Sequence, residues 1–340
     1  MRLLKVIYIG QYSHGTTSRM RGEILKNLLC PESFRVIDTH VPFNKSNRFW
    51  RSIAFRFKFG IAVKKINDHV VKELSSEFVD LIWVDKATFL TENVIRLLRN
   101  HTKKLIHFTP DMMFYANKSQ SFIRSLNYYD VLVTTKKKEV EMYHTYVDPK
   151  KVYLVTQGYD PSIHRSQQSF NEKSDSVVFI GLAEPSRAEI IQYLIGHRID
   201  VQLAGFGWNS FLKRNKNSPY LAFHGTVVSG ENYSKLISSA KFGLGLLSKR
   251  FPELHTTRTF EIPACGTALL TEQNEEIRGL FEENEVIYFN SKEDLVKRIQ
   301  YFLKESNELE NLTTNGMSRV KSSGYDYKSI ISSILQYSGI

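Results

Sequence analysis

The sequence predicts an α/β fold built from two Rossmann-like halves, and three observations predict it. Short apolar, β-branched runs alternate with longer amphipathic segments along the whole chain. The alternation breaks once, at the polar stretch QQSFNEKSDS (167–176), and then restarts. The 340 residues also exceed what one small core organises, so two domains are expected.

In the first half, KVIYI (5–9) reads as a buried strand that opens into a loop at Gly10, and 18–29 as a helix with Ile24, Leu25, Leu28 and Leu29 as its apolar stripe. Strands follow at 34–38, 80–84, 104–108, 130–134 and 152–155, separated by helical stretches at about 47–76, 92–100, 122–128 and 137–146. In the second half, strands are expected at 176–180, 200–204, 221–225, 242–246, 268–271 and 286–289. Helices are expected at 187–196, 233–239, 256–265, 295–303 and 327–337. Strands joined by helices imply parallel βαβ units with helices on both faces. The expected domains are 1–166, a linker at 167–176, and 177–324, with the last helix (325–340) crossing back onto the first domain. A cleft between two such halves is the natural ligand site.

Composition narrows the function. Lys and Arg number 46 against 35 Asp and Glu, a net charge of +11, which favours polyanionic partners without choosing among them. Two cysteines, Cys30 and Cys265, are too few for a disulfide framework and read as reduced, buried thiols. There is no CxxC, HExxH or Cys/His cluster, so no metal site is expected. The N-terminal apolar run is too short for a signal sequence and no run reaches about 18 apolar residues, so the expected compartment is the cytoplasm.

The stretch HTTRTFEIPACGTALLTE (255–272) carries the most chemistry. Arg258, Glu261 and Cys265 are three and four apart and share one helix face. A carboxylate one turn into a helix can accept two ribose hydroxyls, and an adjacent arginine can pair bidentately with phosphate. The helix N-terminus at Thr257 adds N–H groups suited to a diphosphate. A plain Arg258–Glu261 salt bridge on an ordinary helix would leave the same trace.

This stretch resembles the donor-binding signature of GT-B glycosyltransferases, above all the CgeB-like group, whose pattern is roughly R-x-F-E-x-x-A-C-G. VVFIGLAEPSRAEIIQYL, DVQLAGFGW, FHGTVVSGENYSKLISSAKFGLGLL, LIHFTPD and YLVTQGYDPSIH resemble further pieces of that group in the same order. A more distant resemblance runs to phage DNA β-glucosyltransferase. The resemblance implies the GT-B fold, two Rossmann-like domains facing each other across a cleft, and transfer of a sugar from a nucleotide-sugar donor, UDP being the expected nucleotide. It assigns donor contacts to Gly181, Arg187, Gly205, Phe206, Val227, Thr257, Arg258 and Glu261, and a catalytic base to Asp111. Glu253 and Glu261 meet the E-x7-E spacing of many retaining GT-B enzymes, but the Gly-rich loop that normally follows the first Glu is lacking. Glu253 and His14 therefore stand as possible sugar contacts.

Asp111 follows the strand KLIHF and should project from the carboxyl end of the first sheet. A carboxylate within about 3 Å of an acceptor hydroxyl can remove its proton as it attacks the anomeric carbon. Arginines and the helix N-terminus would stabilise the diphosphate leaving group, so neither a metal nor any other cofactor is expected.

From Thr39 through Asn67 there is no Asp or Glu, while Lys45, Arg48, Arg51, Arg56, Lys58, Lys64 and Lys65 interleave with Phe49, Trp50, Phe55, Phe57 and Phe59. On one helix, Ile53, Phe57 and Phe49 or Trp50 would share a face. Such a stretch suits a solvated core helix, an anionic membrane surface at 45–65, or nucleic acid. The expected acceptor is a bacterial surface glycan or its lipid-linked precursor, with peripheral contact at the inner face of the membrane. A modified DNA base as acceptor, and a GT-B-like protein that binds without catalysis, remain the alternatives.

Overall fold

The computed structural model describes residues 4–74, 76–86 and 88–340. The chain forms two compact units, 1–156 with 327–340, and 157–326. Each is built on a six-stranded sheet in which every pairing is parallel.

In the first unit the strands are β1 (Lys5–Gly10), β2 (Ser33–Asp38), β3 (Val79–Asp85), β4 (Thr102–Thr109), β5 (Val131–Thr134) and β6 (Val152–Leu154). Their order is β2-β1-β3-β4-β5-β6. Side chains alternate across this sheet with the two-residue period of a strand. Ile7, Ile9, Ile82 and Val84 pack on one face against the helices Ile61–Glu73 and Glu92–Arg99. Val6, Tyr8, Leu81, Trp83, Ile106 and Phe108 pack on the other, where the helix Tyr327–Ser338 supplies Ile330, Ile331, Ile334 and Leu335. Both faces are covered, so these strands read as unbroken apolar runs.

The second unit contains β7 (Ser174–Ile180), β8 (Val201–Ala204), β9 (Leu221–Phe223), β10 (Ala240–Leu244), β11 (Ala268–Glu272) and β12 (Ile287–Phe289). Their order is β12-β11-β10-β7-β8-β9. Val177, Phe179, Val201 and Leu203 face one core layer, Val178 and Ala204 the other.

The boundary between units falls at 156/157, not across 167–176. That polar stretch is part of the second unit: Gln167 N donates to Ser238 Oγ (3.2 Å), residues 170–172 form a short helical turn, and Lys173 Nζ donates to the Ser238 carbonyl (2.6 Å). Upstream, Gln157 N already donates to His255 Nε2 (2.9 Å). Hydrogen bonds, not apolar periodicity, tie these residues down, which is why composition alone reads them as a linker.

Three further differences have local causes. The helix expected over 47–76 is two, Arg48–Phe57 and Ile61–Glu73, because Lys58 (φ 57°) and Gly60 (φ 102°) turn the chain between them. Its inward residues are Trp50, Ile53 and Ala54, whereas Phe49 and Phe57 are exposed. Cys30 is not buried: it sits in the left-handed conformation (φ 40°) that ends the helix Thr17–Leu29, with its side chain in solvent. The longest helix, Ser306–Ser322, escapes the sequence reading because its Ser, Asn, Thr and Gly content is unfavourable to helix. Leu309, Leu312, Thr313 and Val320 nevertheless form its buried stripe. At Gly316 the Glu285 carbonyl comes so close that a Cβ would lie 2.3 Å from it, so the small residue permits the packing.

His107, in β4, is fully buried between the rings of Phe122 (5.3 Å) and Tyr129 (5.2 Å). Burial pulls its imidazole from 6.5 down to about 4. Such a group takes up protons more readily in the unfolded chain. Its contribution is complete above about pH 6.5 and is lost as pH falls toward 4. Denaturant titrations should therefore show stability falling between pH 7 and pH 5, with about 2 kcal/mol of the fall due to this residue. In His107→Phe that share should vanish; an unchanged slope would refute the assignment.

Candidate active site

In an open parallel sheet, ligands bind outside the carboxyl ends of the strands where the order reverses. In the second unit that point lies between β7 and β10. Two arginines occupy it. Arg258 Nη1 donates to the Ile180 carbonyl (3.4 Å) and Nη2 to the Leu246 carbonyl (3.0 Å). Arg187 Nη1 donates to the Leu182 carbonyl (3.1 Å) and Nη2 to the same Leu246 oxygen (3.4 Å). Both guanidiniums lie near the Phe179 ring, at 5.8 Å for Arg187 and 5.5 Å for Arg258.

Arg187 opens a helix without facing solvent. It is buried, and Glu184 pairs with it at 3.2 Å. Burial first, and then the charge of Arg258, lower the pKa of its guanidinium, opposed by Glu184 and Glu253. The Nε of each arginine is buried and has no hydrogen-bond partner among the described residues. Two like charges held this close form a local excess of positive potential that an anion would relieve.

Glu261 is buried in the first turn of the helix Arg258–Ala264, and both its oxygens are engaged. Tyr233 OH donates to Oε2 (2.6 Å), and His164 Nε2 faces Oε1 at 3.6 Å. His164 Nδ1 accepts from Asp160 N–H (3.0 Å), which leaves the ring proton on Nε2, toward the carboxylate. Burial and then Glu261 push the Tyr233 hydroxyl well above its ordinary value, so it stays a donor. Each oxygen keeps a second lone pair for an incoming hydroxyl. Cys265, on the same helix, is buried, and burial pushes its thiol up to about 12.

The glycines have a packing role. A Cβ on Gly205 (φ 131°) would lie 2.0 Å from the Gly181 carbonyl oxygen, which also accepts Trp208 Nε1–H (2.9 Å). A Cβ on Gly181 would lie 2.8 Å from the Phe179 ring and 3.5 Å from Arg258 Nη1. These residues draw the ends of β7 and β8 together behind the arginines. Phe206 and Val227, on the following loops, are exposed, and Thr257 is half-buried at the helix start. Glu253 is half-buried within the electrostatic reach of Arg187.

The first unit reverses its order between β1 and β3. A cavity of about 260 Å³ opens there, lined by Gln11, His40, Asp85, Lys86, Asp111 and apolar side chains including Ile9, Phe55 and Phe89. Asp85, on its wall, belongs to a buried ion pair absent from the sequence reading. Arg21 Nε and Nη2 donate to Asp85 Oδ2 and Oδ1, both at 2.8 Å, and neither side chain is exposed. Burial opposes ionisation of Asp85, but the Arg21 charge and hydrogen bonds prevail and its pKa is lowered. The next residue, Lys86 (φ 70°), turns its Nζ to Asp111 Oδ2 at 3.1 Å. Asp111 is half-exposed on the cavity wall. His14 is exposed in the turn after β1.

Residues 187–336 match the model of a family described as glycosyl transferase-like. The matched segment contains both arginines and Glu261. Among solved structures, HepE of Anabaena in complex with UDP-glucose is similar over 98% of this chain and 98% of its own, with 12% identity and a TM-score of 0.66. Sucrose-phosphate synthase from Thermosynechococcus elongatus gives the same coverages, 13% identity and 0.66. A UDP-N-acetylglucosamine 2-epimerase gives 99%, 97%, 13% and 0.58. The fold is GT-B. No significant match is found among curated proteins. Among the described residues no cluster of three or more His, Cys, Asp or Glu is placed to hold a metal ion.

Of the donor contacts expected from the sequence, the structure brings together Arg187, Arg258, Glu261 and Gly181. Tyr233 and His164 lie in segments that carry the resemblance, yet nothing in the sequence shows that they meet Glu261. Gly205→Ala should destabilise the chain by about 2–4 kcal/mol, the combined effect of a strained backbone and a steric clash. A melting temperature equal to wild type would show that Gly205 is not needed for packing.

Proposed function

We propose that the chain is a glycosyltransferase that moves a sugar from a nucleotide-sugar donor to a hydroxyl acceptor. The second unit takes the donor and the first the acceptor. One observation carries this reading: two arginines converge at the switch point of the second sheet with a buried carboxylate on the same helix as one of them. That is the donor set a nucleoside diphosphate needs, phosphate against guanidinium and ribose against Glu261. The UDP and UDP-glucose in the similar structures support UDP as the nucleotide.

In the proposed reaction, Asp111 accepts the acceptor's hydroxyl proton, the oxygen attacks the anomeric carbon, and the bond to the diphosphate breaks. Arg187 and Arg258 stabilise the charge that develops on the leaving group, with no metal required. A single displacement inverts the anomeric centre. Lys86 positions Asp111 in this scheme. Phe206 and Val227 offer apolar surface to the base, Thr257 the helix start, and Glu253 and His14 remain candidate sugar contacts. The acceptor is a glycan or its lipid-linked precursor.

A thermal-shift screen with UDP, UDP-sugars and other nucleotides tests the donor. A ligand at 100 times its Kd adds about 2.7 kcal/mol of apparent stability. UDP or a UDP-sugar should raise the melting temperature by several degrees, and Arg258→Ala or Glu261→Ala should abolish the rise. No shift with any nucleotide would remove the proposal. Asp111→Asn should keep the shift and lose turnover by ~10²-fold or more; unchanged turnover would exclude Asp111 as the base. Product analysis separates transfer from epimerisation of the donor.

A further inference from the structure

We propose that the segment from Lys45 to Lys65 is a docking surface for an anionic lipid bilayer, and that the cavity of the first unit opens beside it. The first observation is exposure. Phe49 is 65% exposed, Phe55 66%, Phe57 55% and Phe59 60%, and Ile61, which follows in the chain, is exposed as well. In the helix Arg48–Phe57, Ala54 is buried and Trp50 and Ile53 are half-buried, whereas Phe49, Phe55 and Phe57 are all exposed. Burying large apolar side chains in solvent-free surroundings is favourable, and leaving four rings within eleven residues in water calls for a cover.

The second observation is charge. Lys45, Arg48, Arg51, Arg56, Lys58, Lys64 and Lys65 lie on this segment, and no acidic residue occurs from Thr39 through Asn67. A second copy of the chain set against itself here would bring like charges together. An anionic surface meets both requirements, rings into the acyl boundary and cations among the head groups. Arg56 lies over the Phe57 ring (5.4 Å) and Lys58 over Phe55 (4.7 Å), pairing charge and ring as an interface does. Ile61 favours lipid over nucleic acid, because an aliphatic side chain offers no face on which a base can stack.

The third observation links the surface to the cavity. Phe55 belongs to both. Lys58 Nζ donates to Asn117 Oδ1 (3.2 Å), another residue of the cavity wall. An acceptor carried on a lipid would reach Asp111 without leaving the membrane surface. That last step rests on the transferase reading; the docking surface does not.

The test is co-sedimentation of the full chain with vesicles of phosphatidylcholine alone, or with phosphatidylglycerol added. Binding should be at least about tenfold tighter to the anionic vesicles and should weaken with salt. The triple variant Phe49→Ser, Phe57→Ser, Phe59→Ser and the pair Lys64→Glu, Lys65→Glu should each lose about tenfold or more, with the melting temperature of the free protein unchanged. Equal binding to neutral vesicles, or none to either, overturns the proposal. So does a single-stranded oligonucleotide that binds as tightly as the anionic vesicles, or a dimer in light scattering that the phenylalanine variant dissolves. Nucleotide binding is not read in this assay, so a failed donor proposal leaves its outcome intact.

Discussion

Carbonyl groups at the carboxyl edge of the second sheet are the constraint on which the candidate donor site depends. At a switch point the chain leaves adjacent strands toward opposite faces, and the last carbonyls need partners from elsewhere. Ile180, Leu182 and Leu246 find them in two guanidiniums. Arginine suits the task because its planar fork satisfies two carbonyls and still has donors to spare. Closing the edge of the sheet and concentrating positive charge there are thus one arrangement. The glycines behind it, Gly181 and Gly205, let the strand ends and the Phe179 ring come close enough to hold both arginines.

The first unit solves the same topological problem with the opposite charge. Its switch point ends in Asp85, which is neutralised from below by Arg21. Rings of Phe108 (4.8 Å) and Tyr327 (5.4 Å) enclose that guanidinium. Removing one partner from a buried pair of this kind costs about 3–5 kcal/mol, because the other charge is left without compensation. The pair fixes the end of β3, and through Lys86 it fixes the carboxylate of Asp111. Position passes from a buried charge to a half-exposed one through two ion pairs joined by the peptide bond between Asp85 and Lys86.

Much of this was legible in the residues. All twelve strands announce themselves as short apolar runs, and the helix Arg258–Ala264 through its R-x-x-E spacing. What was not legible shares one property: it depends on pairing between residues distant in sequence. Tyr233 and His164 meet Glu261 from a different helix and a different turn. Arg21 and Asp85 are far apart in the chain, and each looks like a surface residue until the sheet forms. The helix Ser306–Ser322 is stabilised by packing that its own propensities oppose. Among the described residues no helix is long and apolar enough to cross a membrane.

The helix Tyr327–Ser338 closes one face of the first sheet, yet it is made only after the whole second unit. During synthesis at roughly 5–20 residues per second, that unit takes on the order of 10–30 s to emerge. Throughout that interval Val6, Tyr8, Trp83 and Phe108 lack the four aliphatic side chains that cover them in the finished protein. The nascent first unit is thus an open sandwich, sticky on one side, and its maturation waits until the ribosome has read the dozen codons of that helix.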